Sequence, residues 1–141
     1  MNKLTLTLIA TAITAITANT AMAQSVAESN GILADATGRT LYTFDKDASN
    51  KSNCYGGCAA AWPPFLVKEG EAAKTGYSAV TRDDGSKQWA KGGQPLYYFA
   101  ADTKAGEVKG DGQGGVWHVI RATDKRAQSQ PAQVVNSNSG Y

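Results

Sequence analysis

A seven-residue phrase occurs twice in this chain. Leu41-Tyr42-Thr43-Phe44-Asp45-Lys46-Asp47 returns as Leu96-Tyr97-Tyr98-Phe99-Ala100-Ala101-Asp102, so Leu, Tyr, Phe and Asp recur 55 positions on. Trp62 recurs as Trp117, and Gly38 as Gly93, at the same spacing. A register kept without gaps over these positions marks an internal repeat, and such a repeat bounds the fold before any local reading does. Two copies are too few to stack as a solenoid. The expected outcome is one compact domain with internal pseudo-twofold symmetry.

Each copy reads as β-structure. Residues 26–34 hold short apolar pieces, Ala36-Thr37-Gly38 follows, and residues 40–44 alternate and are rich in β-formers. Strand, glycine turn, strand is a hairpin signal. The second copy repeats it with Gln88-Trp89-Ala90, Gly92-Gly93 and residues 95–99. Gly38 and Gly93 suit turns that need positive φ. Pro95 at the head of its strand is tolerable, because a first-residue proline need not donate to the ladder. Each phrase runs into a polar loop and then returns to an apolar stretch with a Trp. Of these, residues 116–120 form the cleanest strand. Residues 77–81 are a further candidate strand, and residues 58–61 a helical turn stopped by Pro63. No long helical periodicity appears. The fold class is therefore all-β or mainly β: a single small domain of two tandem pseudo-symmetric β repeats, at about 29–67 and 84–121.

The first 23 residues are expected to be a signal peptide. Lys3 precedes an apolar, Thr-rich stretch, and Ala21-Met22-Ala23 reads as a cleavage site before Gln24. Removing them leaves 118 residues, enough for one core. Residues 24–127 form the domain, and the Ser-, Asn- and Gln-rich residues 128–141 a loosely held tail. The mature chain carries 13 Lys and Arg against 12 Asp and Glu, which favours neither nucleic acid nor an anionic membrane. No further apolar run reaches membrane length, so no transmembrane segment is expected in the mature chain. The expected location is periplasmic or secreted.

Cys54 and Cys58 are the only cysteines. An even count in an oxidising compartment predicts a disulfide, and so short a loop adds only about 2 kcal/mol. The same pair with His118, the single histidine, could instead bind Cu(I) or serve in redox exchange. The spacing is similar to that of copper-delivery proteins of thioredoxin fold, but the βαβ units of that fold are not in evidence. Counted at the repeat spacing, Lys109 falls opposite Cys54.

Residues two apart on a strand share a face. Tyr42 with Phe44, and Tyr97 with Phe99, therefore build two related aromatic clusters with Trp62 and Trp117. These are core, or else a stacking platform for a ring-bearing ligand. Asp47 and Asp102 end their strands, where a carboxylate caps a loop. Asp45, Asp47 and Ser49 also fit the start of a calcium loop, but Asn50 and Gly56 stand where its Gly and Glu belong. His118 faces away from Trp117, and no acid–base pair assembles around it. The glycines at 110–115 lack the strand and helix context of a dinucleotide loop.

The two Y-x-F-x-x-D phrases and Cys54-Tyr55-Gly56-Gly57-Cys58-Ala59-Ala60-Ala61-Trp62-Pro63-Pro64 resemble a secreted-repeat family of predicted lipoproteins with a Y-x-[FWY]-x-x-D motif. The resemblance spans about residues 29–121 and implies export, a two-copy layout and repeat-motif positions at Leu41, Tyr42, Phe44, Asp47 and Trp62 and at Leu96, Tyr97, Phe99, Asp102 and Trp117. Many members carry a lipid, and this chain has no lipobox Cys, so a lipid anchor is not implied. The family implies no catalytic residues. The reading is an exported binding or interaction module of unknown ligand or partner, with no cofactor and no enzymatic activity. The alternative is a redox or copper-handling protein that uses Cys54 and Cys58.

Overall fold

A computed structural model describes residues 26–123. The expected signal segment and the tail at 128–141 lie outside the described residues. Strands β1 (Val26–Ser29) and β2 (Ile32–Asp35) form a hairpin. Its turn is Asn30-Gly31, both at positive φ, the geometry that twists a two-residue loop in the hand of its strands. Then come β3 (Tyr42–Phe44), a short helix α1 (Gly57–Ala61), β4 (Tyr77–Thr81), β5 (Lys87–Lys91), β6 (Gln94–Pro95) and β7 (Trp117–Val119). Helix α1 carries a run of three alanines and ends at Trp62, one residue before Pro63. The fold is mainly β, with small antiparallel sheets β1–β2, β3–β7 and β4–β5–β6.

The hairpins around Gly38 and Gly93 are shorter than the sequence implies. Thr40 bridges Ala34, after which β3 leaves to pair with β7. Pro95 is the last residue of β6, and Tyr97 makes only isolated bridges. The reason is a competing partner. Tyr42 N donates to Tyr97 O (2.8 Å) and Tyr97 N donates to Tyr42 O (3.0 Å). Equivalent residues of the two copies thus exchange both bonds, and the pseudo-twofold axis passes between them. Other bonds obey the same symmetry. Tyr42 opposes Val119, and Tyr97 opposes Pro64, its counterpart 55 residues earlier. Leu33 N donates to Ile120 O (2.9 Å), and Trp89 N, 56 residues on from Leu33, donates to Phe65 O (2.8 Å). Strand β4 pairs with β5 as β1 pairs with β2.

Strand alternation splits the core in two. Leu41 and Leu96 are fully buried on one side of the axis, with Leu33, Phe65, Trp89 and Ile120. Tyr42 and Tyr97, one residue on, are fully buried on the other, with Trp62, Trp117, Val119 and Cys54. Each cluster is itself paired across the axis.

Candidate functional site

The repeated Tyr and Asp serve each other across the copies. Tyr42 donates to Asp102 Oδ2 (2.5 Å), and Tyr97 donates to Asp47 Oδ2 (2.7 Å). The second oxygen of each carboxylate fastens its own loop: Asp102 Oδ1 accepts from Lys109 N (2.9 Å) and Asp47 Oδ1 from Asn53 N (2.7 Å). The loop-cap role is therefore present, with a cross-copy bond added to it. Burial, followed by the bond to Asp102, holds the Tyr42 phenol far above its ordinary value. Tyr97 is raised as well, chiefly by burial. Burial also raises the Asp47 carboxyl, outweighing the bonds from Asn53 and Tyr97 that favour its charge.

Removing one hydroxyl tests this exchange. Tyr42→Phe leaves the buried Asp102 short of a donor, and leaves Gly110 N, which donates to Tyr42 Oη at 3.3 Å, without an acceptor. The expected loss is about 2–3 kcal/mol, read as a lower urea midpoint at unchanged slope. A loss below about 0.5 kcal/mol would show that the bond contributes nothing net.

The two aromatic clusters expected from the sequence are one column. Trp62 and Trp117 stack at 3.8 Å between ring centroids and 3° between planes. Phe99 stacks on the other face of Trp62 (4.3 Å) and Phe44 on Trp117 (4.1 Å). The order Phe44–Trp117–Trp62–Phe99 puts the pseudo-twofold between the indoles. Tyr42 meets Trp62 edge-on, and Tyr97 meets Trp117 likewise. Both indoles are buried, which places their faces in the core and not on a ligand platform.

The loops that follow the phrase depart from the constant spacing. Asn50 N donates to Gly93 O (2.7 Å), and its counterpart is Gly106 N to Gly38 O (3.0 Å). Together with the Asn53 and Lys109 bonds this is a spacing of 56, so the partner of Cys54 is Gly110 and not Lys109. The extra residue is absorbed before Trp117. Both turn glycines have positive φ and are closely approached: a Cβ on Gly93 would lie 3.0 Å from Ser49 Oγ, and one on Gly38 would lie 3.0 Å from Ala105 Cβ.

In copy one the loop is closed by the Cys54–Cys58 disulfide. Beneath it lies Arg82, 4% exposed, which sequence reasoning missed. Its guanidinium donates to Ser52 Oγ (2.9 Å), Gln88 Oε1 (2.6 Å) and Cys54 O (2.8 Å), and rests over the Tyr55 ring. Ser52 Oγ lies 2.6 Å from Tyr97 Oη, which in turn donates to Asp47. A buried cation is thus linked to a carboxylate through two hydroxyls, an arrangement that polarises every bond in one direction. An arginine in a polar, turn-rich stretch gives no sign of this in the sequence.

Cys54 and Cys58 are committed to the disulfide. His118 Nε2 lies 2.8 Å from Asp45 Oδ2 at the surface. That ties up the first acid of the partial calcium-loop match, while Asp47 bonds Tyr97. Among the described residues no three His, Cys, Asp or Glu side chains converge to hold a metal. Beside the copy-two loop is an open cleft of about 470 Å³, lined among others by Thr37, Arg39, Thr103, Lys104 and the buried Asp102.

Fold and site together define a mainly-β domain of two interlocked repeats, in which the repeated residues are scaffold and the loops differ. Residues 24–65 and 78–121 each match the family described as a secreted repeat of unknown function. The chain belongs to that family, and it is secreted in the coarse sense that this description carries. No curated protein and no solved structure matches it. Among the described residues no helix is long and apolar enough to cross a membrane.

Proposed function

We propose that this protein is a binding module of the periplasm or the cell exterior, that it performs no catalysis, and that its ligand or partner is taken by the unlike loops. The reading includes cleavage of residues 1–23 as a signal peptide. The observation that carries it is the cleft beside the copy-two loop. Its volume falls within the range of small-molecule sites, while Tyr42, Tyr97, Asp47, Asp102 and both indoles are spent on holding the copies together. A thermal-shift screen of the mature protein tests it. A ligand at a hundred times its Kd adds about 2.7 kcal/mol, or roughly 11–22 °C for a domain of this size. A broad screen with no hit would sink the proposal.

A buried cation bonded to the Cys54 carbonyl would favour a thiolate there, which supports the redox side of a second reading, redox or copper handling by Cys54 and Cys58. Thiol titration and metal analysis of the protein purified from its own compartment separate the two. An oxidised, metal-free protein that mild reductant leaves unchanged rules this reading out.

A further inference from the structure

We infer that the cleft between the Gly38 turn and the 103–105 loop binds a small oxyanion, of the carboxylate or phosphate class, with Arg39 as its anchor and Lys104 as a second cation. The inference rests on the binding-module reading and names the ligand class of the same cleft.

The charges around the cleft are unevenly committed. Asp35 is saturated: Oδ1 accepts from Thr37 N, Thr37 Oγ1 and Arg39 N, and Oδ2 accepts from Tyr98. Asp102, a lining residue, accepts one bond on each oxygen, from Tyr42 and from Lys109 N. Glu107 Oε2 accepts from Thr103 N (2.6 Å) and Lys104 N (3.1 Å), and its other oxygen pairs with Lys109 Nζ at 3.0 Å. The acids therefore have their partners, but the cations of the lining do not. The Arg39 guanidinium lies over the Tyr98 ring, 4.3 Å from its centroid, and has no hydrogen-bond or ion-pair partner among the described residues. The Lys104 ammonium has none either.

A ring face under an arginine takes none of its hydrogen bonds, so the N–H groups of the fork stay free. That fork matches two oxygens of a carboxylate or phosphate. Copy one has no such pair of cations. At the spacing of 55 Arg39 becomes Gln94 and Ala100 is matched by the acidic Asp45, and at the loop's spacing of 56 Lys104 becomes Ala48.

The test is a titration of the full mature chain with inorganic phosphate and, separately, with succinate, at constant ionic strength and followed by ¹⁵N-HSQC. Saturable shifts are expected at Thr37, Arg39, Thr103, Lys104 and Ala105 with at least one anion, and the anion that saturates identifies the class. Arg39→Met keeps an apolar stem on Tyr98 and is expected to weaken binding roughly tenfold or more. Arg39→Lys keeps the charge without the fork and is expected to fall between the two. Shifts that sodium chloride reproduces, or binding undiminished in Arg39→Met, would overturn the inference. If a neutral compound from the screen saturates the cleft and both anions fail, the oxyanion inference falls and the binding-module reading stands.

Discussion

Trp117→Ala is expected to cost about 4 kcal/mol, the middle of the range for a buried Trp→Ala change. At 4–8 °C per kcal/mol that is a fall of roughly 16–32 °C in Tm, a large fraction of the 5–15 kcal/mol that holds a typical domain. The size follows from position. Trp117 stacks on Trp62 at 3.8 Å and on Phe44 at 4.1 Å, and takes the edge of Tyr97 at 5.2 Å. Truncation opens a cavity at the pseudo-twofold, where both copies contribute the walls and neither can close it alone. The neighbouring Tyr97 also holds the Ser52–Arg82 chain, so the damage reaches the disulfide loop. Far-UV circular dichroism against temperature reads the effect without relying on indole fluorescence. A loss under about 1.5 kcal/mol would mean that the column is not formed in solution.

Gly110→Ala adds one methyl group and is expected to cost about 3 kcal/mol, at the top of the overpacking range. The new Cβ would lie 2.6 Å from Trp62 Cη2, 2.8 Å from Trp62 Cζ3 and 3.0 Å from Phe99 Cγ. Those rings cannot step aside, because Trp62 is clamped between Trp117 and Phe99. The control is Gly57→Ala at the start of helix α1, where a Cβ would meet nothing within 4 Å. There alanine is expected to be neutral or slightly stabilising. Urea midpoints of the two variants decide the matter, and equal midpoints would refute the close contact at Gly110.

Much of this architecture is legible in the sequence, for a definite reason. The spacing of 55 links Leu41 to Leu96, Tyr42 to Tyr97 and Trp62 to Trp117, and these pairs form the two clusters and the axis. A one-dimensional register cannot say which copy a side chain reaches, however. Tyr42 is five residues from Asp47 and bonds Asp102 instead, because the strand turns it toward the other half. The same blindness split one aromatic column into two clusters. The one-residue shift at Asn53 and Lys109 is hidden, since it starts and ends within polar loops whose one match in the shifted register is Gly56 with Gly112. Asn30-Gly31 is a readable hairpin signal that strand patterning alone does not register. Arg82 and Arg39 carried no signal, because burial of one and isolation of the other come from tertiary neighbours.

The exchange of Tyr and Asp bears on the order in which the chain can become ordered. Its two bonds span 60 and 50 residues, so the first repeat lacks an acceptor for Tyr42 until about half of the second has been synthesised. Long-range closures of this kind slow folding. An N-terminal half leaving a translocation channel would carry an unpaired phenol and half of an indole stack, and would wait there until its other half arrived.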